Sequence, residues 1–179
     1  QWLPTVISNP TTVTPLEIGK KITDTYISSN EYSATMAVFD LSKVEAFGTA
    51  LSAFASDLSS YSSTSIETIR SGLTGFGDSG YGDYIDDARD IYEFTNKVKT
   101  NVGTSATNLL TAHDNLVVYL KTRNASSGWG YTSTDYSNVG GMTIYFPSSS
   151  TNYDSAYEDS GATWNNFTTW KTFVKSYAK

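Results

Sequence analysis

Cysteine is absent from this chain of 179 residues, and histidine occurs once, at His113. The missing thiol excludes disulfide bonds, thiolate metal sites and a cysteine nucleophile supplied by this chain. Cationic residues are also scarce, since 12 Lys and Arg stand against 18 Asp and Glu. The resulting net charge of −6 argues against nucleic acid or an anionic membrane surface as a partner. No apolar run reaches the roughly 18 to 20 residues that a membrane span requires.

The rest of the composition is rich in residues with a hydroxyl group and in aromatic residues. Hydrophobic residues make up 39% of the chain and charged residues 17%, and Tyr alone occurs 13 times. The length suits one domain with a sizeable core. A surface kept soluble by hydroxyls and negative charge is common among extracellular proteins, so we expect a secreted or cell-surface protein. Because no basic and apolar leader precedes Gln1, we expect a mature, processed or cloned segment.

Three segments predict helix N-termini, each with a hydroxyl residue followed three positions later by Glu. They are TPLE at residues 14–17, SKVE at 42–45 and TSIE at 64–67. In such a capping box the hydroxyl accepts a hydrogen bond from a backbone N–H, and Glu binds back. Pro15 suits the first helical position, and Gly72 predicts the end of the third helix.

The apolar pattern predicts two strands among several helices. Residues 32–39 and 142–146 are the strands, and 32–39 is apolar on both faces, which is typical of a strand buried on both sides in a parallel or mixed sheet. Helical periodicity extends over 83–102, 104–121 and 163–177. Since two strands do not make a stable covered sheet, further strands either hide in weakly patterned segments or belong to another stretch of polypeptide.

His113 is the one residue that suggests nucleophilic catalysis with serine. It lies at helical spacing from Leu109, Leu116 and Leu120, which favours a packed, structural histidine. A Ser-His-Asp triad is the alternative, but no Gly-x-Ser-x-Gly sequence is present to hold the nucleophile.

A loop at residues 72–82 and the start of the following helix carry the one candidate cation cluster. The cluster consists of Asp78, Asp83, Asp86, Asp87 and Asp90, of which Asp78, Asp83 and Asp86 would supply oxygen ligands, and calcium is the metal that such a loop would take. Asp86, Asp87 and Asp90 also suit the first turn of the predicted helix, where acidic side chains complement the helix dipole. Their spacing differs from that of an EF-hand, and a solvated loop explains the same residues. Asn124 and Asn166 fit the N-glycosylation pattern, which also arises by chance in a chain rich in Ser and Thr.

Several aromatic residues in glycine- or serine-rich segments form a candidate sugar- or peptide-binding surface. They are Tyr81, Tyr84, Trp129, Tyr131, Tyr136 and Tyr153. The alternative is that they pack in the core, as the aromatic residues of the last predicted helix do.

Three blocks of sequence, in order, resemble the C-terminal half of clostripain-like cysteine peptidases. The first extends over residues 2–44 and includes LEIGKKI and YSATMAVFDLSKV, the second is YIDDARDIYEF at 84–94, and the third is GMTIYFP at 141–147 with Trp170 and Phe173 behind it. In that family a His-Gly pair and a later cysteine do the chemistry, both upstream of the matched region. His113 precedes Asp114 rather than Gly, so the family's histidine role does not transfer to it.

The resemblance implies a helix-rich, three-layer α/β/α fold, like the C-terminal half of a caspase-type sandwich with few strands in this chain. Both predicted strands would join the central sheet of that sandwich. Residues 1–179 would be a single domain or the C-terminal portion of a larger peptidase. The implied partner is the N-terminal catalytic half, through which the complete enzyme would cleave protein or peptide substrates after Arg or Lys. The alternative function is a stand-alone, non-catalytic binding module that uses exposed Tyr and Trp.

Overall fold

A computed structural model describes residues 11–76, 88–124, 134–148, 153–158 and 167–177, with the isolated residues 4 and 8. The α-helices in these ranges are α1 (Pro15–Ser29), α2 (Val44–Leu58), α3 (Ser63–Ser71), α4 (Ile91–Val102), α5 (Thr104–Leu116) and α6 (Thr168–Tyr177). The strands are β1 (Ala34–Phe39), β2 (Ala88–Asp90), β3 (Val117–Arg123) and β4 (Thr143–Tyr145). Short 3-10 helices cover Leu41–Lys43 and Ser155–Glu158.

The strands form two small antiparallel sheets. β1 pairs with β3, from Ala34 opposite Arg123 to Phe39 opposite Val117, and β2 pairs with β4. The predicted helix-rich α/β class is confirmed. The expectation that both predicted strands share one parallel or mixed sheet is wrong for the described residues, because β1 and β4 each take a different antiparallel partner.

Two of the predicted helices contain a strand that the apolar periodicity hid. Within the predicted helix over 83–102, Ala88–Asp90 is strand β2 and the helix starts at Ile91. The predicted helix over 104–121 stops at Leu116, and β3 follows without a turn. In both cases pairing with a distant strand decides the local conformation. The last helix begins at Thr168, and residues 163–166 lie outside the described ranges.

The capping box predicted at Thr14 is confirmed, whereas at the other two predicted sites an upstream residue makes the capping hydrogen bond. Thr14 and Glu17 make the reciprocal bonds at the start of α1. At the second site Asp40, upstream of the predicted Ser42, accepts the N–H of Ser42 and opens the 3-10 turn instead. Ser62, rather than Thr64, caps α3 by accepting the N–H of Ser65. Gly72 ends that helix as predicted.

The core is an aromatic cluster between α2, α4, α6 and the end of β4. Phe146 is fully buried and contacts the rings of Phe94, Trp170 and Tyr177 with centroid separations between 4.9 and 5.6 Å. Arg70 reaches this cluster from α3, where its Nε donates to the carbonyl of Phe146 at 2.6 Å. Burial of such rings supplies most of the stabilisation available to a chain that has no disulfide.

Asp90 is a fully buried carboxylate at the junction of β2 and α4. It caps α4 by accepting the N–H of Glu93 at 2.9 Å. It also accepts the N–H groups of Gly140, Gly141 and Met142 at 2.9 to 3.2 Å. Burial raises the pKa of Asp90, and the N–H groups of Gly140 and Glu93 oppose that shift. One side chain therefore fixes the segment 140–142 to the start of α4.

Replacement of Asp90 by Asn is expected to destabilise the fold strongly. The amide keeps one oxygen but turns its NH₂ group toward backbone N–H groups that have lost their acceptor. The free energy of unfolding should fall by about 2 to 4 kcal/mol in urea denaturation. Asp114→Asn is the matched control: that side chain is 66% exposed, so a change within about 0.5 kcal/mol is expected. Equal effects of the two substitutions would contradict the anchoring role of Asp90.

Candidate docking site and histidine pocket

Helix α1 covers one face of the β1–β3 sheet. Gly19 lies so close to Val38 that a Cβ on it would stand 2.8 Å from Cγ1 of that valine. Asp24, on the same helix, accepts hydrogen bonds from Lys121 Nζ at 2.7 Å and from Tyr119 Oη at 2.8 Å. The bonds from Lys121 and Tyr119 lower the pKa of Asp24. These contacts fix β3 as well as β1 beneath the helix.

Strand β1 is less buried than its sequence predicts. Of its residues, Ala34 is buried, residues 35–38 are half-buried, and Phe39 is 38% exposed. The prediction of a strand buried on both sides is therefore wrong for the described residues. Besides β3, the element that packs most extensively on β1 in the described ranges is α1. An uncharged, largely apolar strand is left with one edge unpaired in that part of the chain.

An open apolar groove of about 1020 Å³ begins where β1 ends. We call it the β1 groove, and its apolar lining consists of Phe39, Leu41, Val44, Phe47, Leu116, Met142 and Phe167. Leu41 is 77% exposed, and Val44 is 38% exposed. Isolated exposed apolar residues are normal on a protein surface, but a contiguous set next to an open strand edge is typical of an interaction site.

A second cavity, of about 620 Å³, surrounds the single histidine. This His113 pocket is lined by polar residues of α4, α5 and 137–138, by Tyr92, and by the apolar residues Val117, Leu120 and Val139. His113 itself is only 3% exposed, and its ring centroid lies 4.8 Å from that of Tyr92. The prediction of a packed histidine agrees with this placement.

The His113 pocket lacks the geometry of a serine triad. A triad needs a serine hydroxyl on one ring nitrogen and an orienting carboxylate on the other. Nδ1 of His113 lies 3.3 Å from Asp114, but Nε2 is buried without a hydrogen-bond partner in the described chain. Ser137, which also lines the pocket, donates its hydroxyl to Asp135 at 2.5 Å. The serine-hydrolase alternative therefore has no support among the described residues.

The segment 140–142 joins the His113 pocket to the β1 groove. Gly140 lines the pocket, whereas Met142 lines the groove, and Asp90 holds the backbone N–H groups of both. Gly141, between them, has φ +86° and packs against Leu120 of β3. This glycine is required, since other residues rarely adopt that conformation.

The predicted site residues fall partly outside the described ranges. Asp78, Asp83 and Asp86, the candidate calcium ligands, lie outside them, as does the candidate glycosylation site Asn166. Within those ranges no group of three or more His, Asp or Glu side chains is arranged to hold a metal ion. Calcium and glycosylation stay predictions.

Asn124 is described, and its side chain bridges two segments. Nδ2 donates to Asp135 at 2.6 Å and to Ser137 at 3.0 Å, and Oδ1 accepts the N–H of Tyr136. A glycan on Nδ2 would replace one of its two hydrogens. Modification there would therefore cost one of these bonds.

The predicted aromatic surface is contradicted at the two positions that the structure describes. Tyr136 is 6% exposed and stacks on Phe76, and Tyr153 is half-buried against the core. The other four members, Tyr81, Tyr84, Trp129 and Tyr131, lie outside the described ranges. These two tyrosines are structural, because their rings pack in the interior.

Asp90 was not predicted from the sequence as the side chain that holds these segments together. The signal was present, since Asp90 and Glu93 have the spacing of a capping box immediately before an apolar helical pattern. It was hidden because Asp86, Asp87 and Asp90 together suit a cation cluster or an acidic first turn. The carboxylate of Asp90 is not a cation ligand in this structure, because its oxygens accept backbone N–H groups. The Gly-Gly pair at 140–141 is the other half of the signal, since close approach of backbone to a carboxylate favours glycine.

The sequence of this chain matches the model of a known protein family. A model of the clostripain family matches residues 5–177, which is nearly the whole chain, and the protein belongs to that family. It is therefore a peptidase-related protein. No curated protein matches the sequence. Among the described helices, none is long and apolar enough to cross a membrane.

Replacement of Gly140 by Ala is expected to displace the segment 140–142. A Cβ at that position would lie 2.2 Å from Cβ of Tyr92 and 2.7 Å from Cε1 of His113. Because Cβ of Tyr92 is fixed to helix α4, the glycine backbone must move away and weaken its bond to Asp90. Thermal or urea unfolding should show a loss of about 1 to 3 kcal/mol.

Gly72→Ala is the control for that substitution. Its Cβ would meet nothing closer than 3.5 Å, and its φ of −89° suits alanine. Stability should stay the same or rise by up to about 1 kcal/mol. A Gly140→Ala protein as stable as Gly72→Ala would refute the close packing described for the pocket.

Proposed function

We propose that this chain is the C-terminal, non-catalytic portion, or processed chain, of a secreted clostripain-like cysteine peptidase. The complete enzyme would cleave protein or peptide substrates after Arg or Lys. In this proposal the nucleophilic cysteine and the catalytic histidine come from an N-terminal catalytic half. The chain described here would complete that half's sheet and support it.

Family membership and composition together support this division of labour. The chain belongs to a family of cysteine peptidases and yet has no cysteine. Its one histidine is packed against Tyr92, with Nε2 buried and without a partner in the described chain. The chemistry of a cysteine peptidase needs a thiolate and a base within hydrogen-bond reach. Another polypeptide segment must supply both if the family's activity is retained.

The observation that carries the proposal is the incomplete burial of β1. Its sequence, ATMAVF, has no charge and suits a strand covered on both sides, but residues 35–38 are only half-buried. The β1 groove, which contains Leu41, continues this surface. A docked catalytic half would cover the strand edge and the groove together.

Reconstitution of the two parts tests the proposal. The polypeptide encoded immediately upstream of Gln1 would be expressed separately and mixed with this chain. Hydrolysis of fluorogenic peptide amides ending in Arg or Lys is expected from the mixture, and none from this chain alone. Peptides ending in Leu or Asp serve as substrate controls. The absence of a cysteine in the upstream segment, or of any association with it, would refute the proposal.

Substitutions in the reconstituted enzyme separate catalytic from structural residues. Replacement of the upstream cysteine by Ala should lower kcat/KM by about 10⁴-fold or more. His113→Gln should leave kcat/KM within about twofold once the folded fraction is matched, because this histidine touches no reacting group. A loss in His113→Gln as large as the cysteine loss, in a correctly folded protein, would place the histidine in the catalytic machinery.

A further inference from the structure

The His113 pocket contains a buried carboxylate that is not paired with a cation in the described chain. Glu93 lines this pocket and is only 5% exposed. Its Oε2 accepts the N–H of Thr74 at 2.9 Å, and the described residues supply no cation to it. Glu and Asp side chains are almost never buried to this extent unless they are paired. The pocket therefore offers an unpaired negative charge.

A second buried polar group in the same pocket also lacks a partner. Nδ1 of His113 lies 3.3 Å from Oδ1 of Asp114. Because a carboxylate only accepts, the neutral ring carries its hydrogen on Nδ1, and Nε2 is an acceptor. Nε2 is buried without a hydrogen-bond partner in the described chain, which is unfavourable for an acceptor. Since Nε2 is covered, contact with it requires a shift of the pocket wall, and the two carboxylates supply the main attraction.

The charges around the pocket favour a cationic ligand. Among the described lining residues Glu93 and Asp114 are acidic, and Lys97 is basic. Lys97 is exposed and forms no ion pair with either carboxylate. In the described part of the chain no three His, Asp or Glu side chains are arranged to hold a metal ion. An organic cation therefore suits the pocket better than a metal ion does.

We infer that the His113 pocket binds the guanidinium or ammonium group of a basic peptide side chain, with Glu93 and Asp114 as its carboxylate partners. Either group places several N–H donors on one positive charge, and hydrogen bonds between such donors and carboxylates are stronger than neutral ones. A cavity of about 620 Å³ has room for an arginine or lysine side chain. Val117 and Leu120 would contact the methylene groups of that side chain.

The single histidine gives a direct readout of occupancy on the isolated chain. N-acetyl-arginine amide and N-acetyl-lysine amide would be titrated while proton NMR follows Hε1 of His113, the one histidine signal of this chain. A saturable shift is expected in about the millimolar range. N-acetyl-citrulline amide has nearly the shape of the arginine probe but no charge, and it should bind at least about tenfold more weakly. Equal binding of citrulline and arginine, or no saturable shift with either cationic probe, would overturn the inference.

Substitution of single carboxylates tests where the cation binds. Glu93→Gln keeps an oxygen for the N–H of Thr74 but removes the charge, and it should weaken binding of the arginine probe by about tenfold or more. Asp114→Asn changes a side chain that is 66% exposed, so the fold is spared, and it should weaken binding by about threefold. Circular dichroism and the unfolding midpoint check that each variant is folded.

Glu45→Gln is the matched control, because Glu45 is an exposed carboxylate that lines the β1 groove instead. Its Kd for the arginine probe should stay within about twofold of the wild-type value. If Glu45→Gln weakens binding as much as Glu93→Gln does, or if Glu93→Gln and Asp114→Asn both bind like the wild-type chain, the assignment of the site is overturned.

Lys97→Gln distinguishes an effect of charge from damage to the pocket. Removal of this positive charge should tighten binding of the arginine probe by about two- to threefold, and damage does not tighten binding. Weaker binding in a folded Lys97→Gln protein would contradict a site that selects its ligand by positive charge.

Discussion

The buried carboxylate of Asp90 determines how the parts of this structure meet. It accepts the backbone N–H of Glu93 at the start of α4 and those of residues 140–142. With that segment fixed, Gly140 is pressed against Tyr92 and His113, and Gly141 meets Leu120 of the β1–β3 sheet. The sheet is thereby positioned against the helices that enclose the aromatic core. A carboxylate in such a place is stable only because its oxygens meet several donors.

Among the described residues, the sheet that Asp90 helps to position leaves part of its apolar surface exposed. β1 is uncharged and largely apolar, and in the described ranges it is contacted by helix α1, by its partner β3 and, at Ala37, by Gly141. The exposed Leu41 and the half-exposed Phe39 and Val44 extend this surface beyond the strand. The apolar sequence of β1 predicts more burial than the described chain provides, and a further strand along its free edge would supply that burial. The same surface supports our proposal that this chain, which belongs to the clostripain family and has no cysteine, is one part of a larger enzyme.

The features that depend on residues close together in the chain were predicted from the sequence. The capping box at Thr14 and Glu17, the end of α3 at Gly72 and the packed His113 follow from residue spacing alone. It did not predict β3, because Leu116, Val117 and Leu120 continue the helical spacing of α5. There the pairing of Val117 with Phe39, 78 residues away in the chain, outweighs the local preference. The role of Asp90 was missed for the same reason, since three of its partners lie about 50 residues downstream.

The most direct test of the account is the sequence of the coding DNA upstream of Gln1. In frame with this chain, we expect a His-Gly pair after one strand-like segment and an Asp-x-Cys sequence after a later one. A stop codon, a signal peptide or an unrelated sequence directly before Gln1 would contradict the account, since no catalytic half would then be joined to this fold.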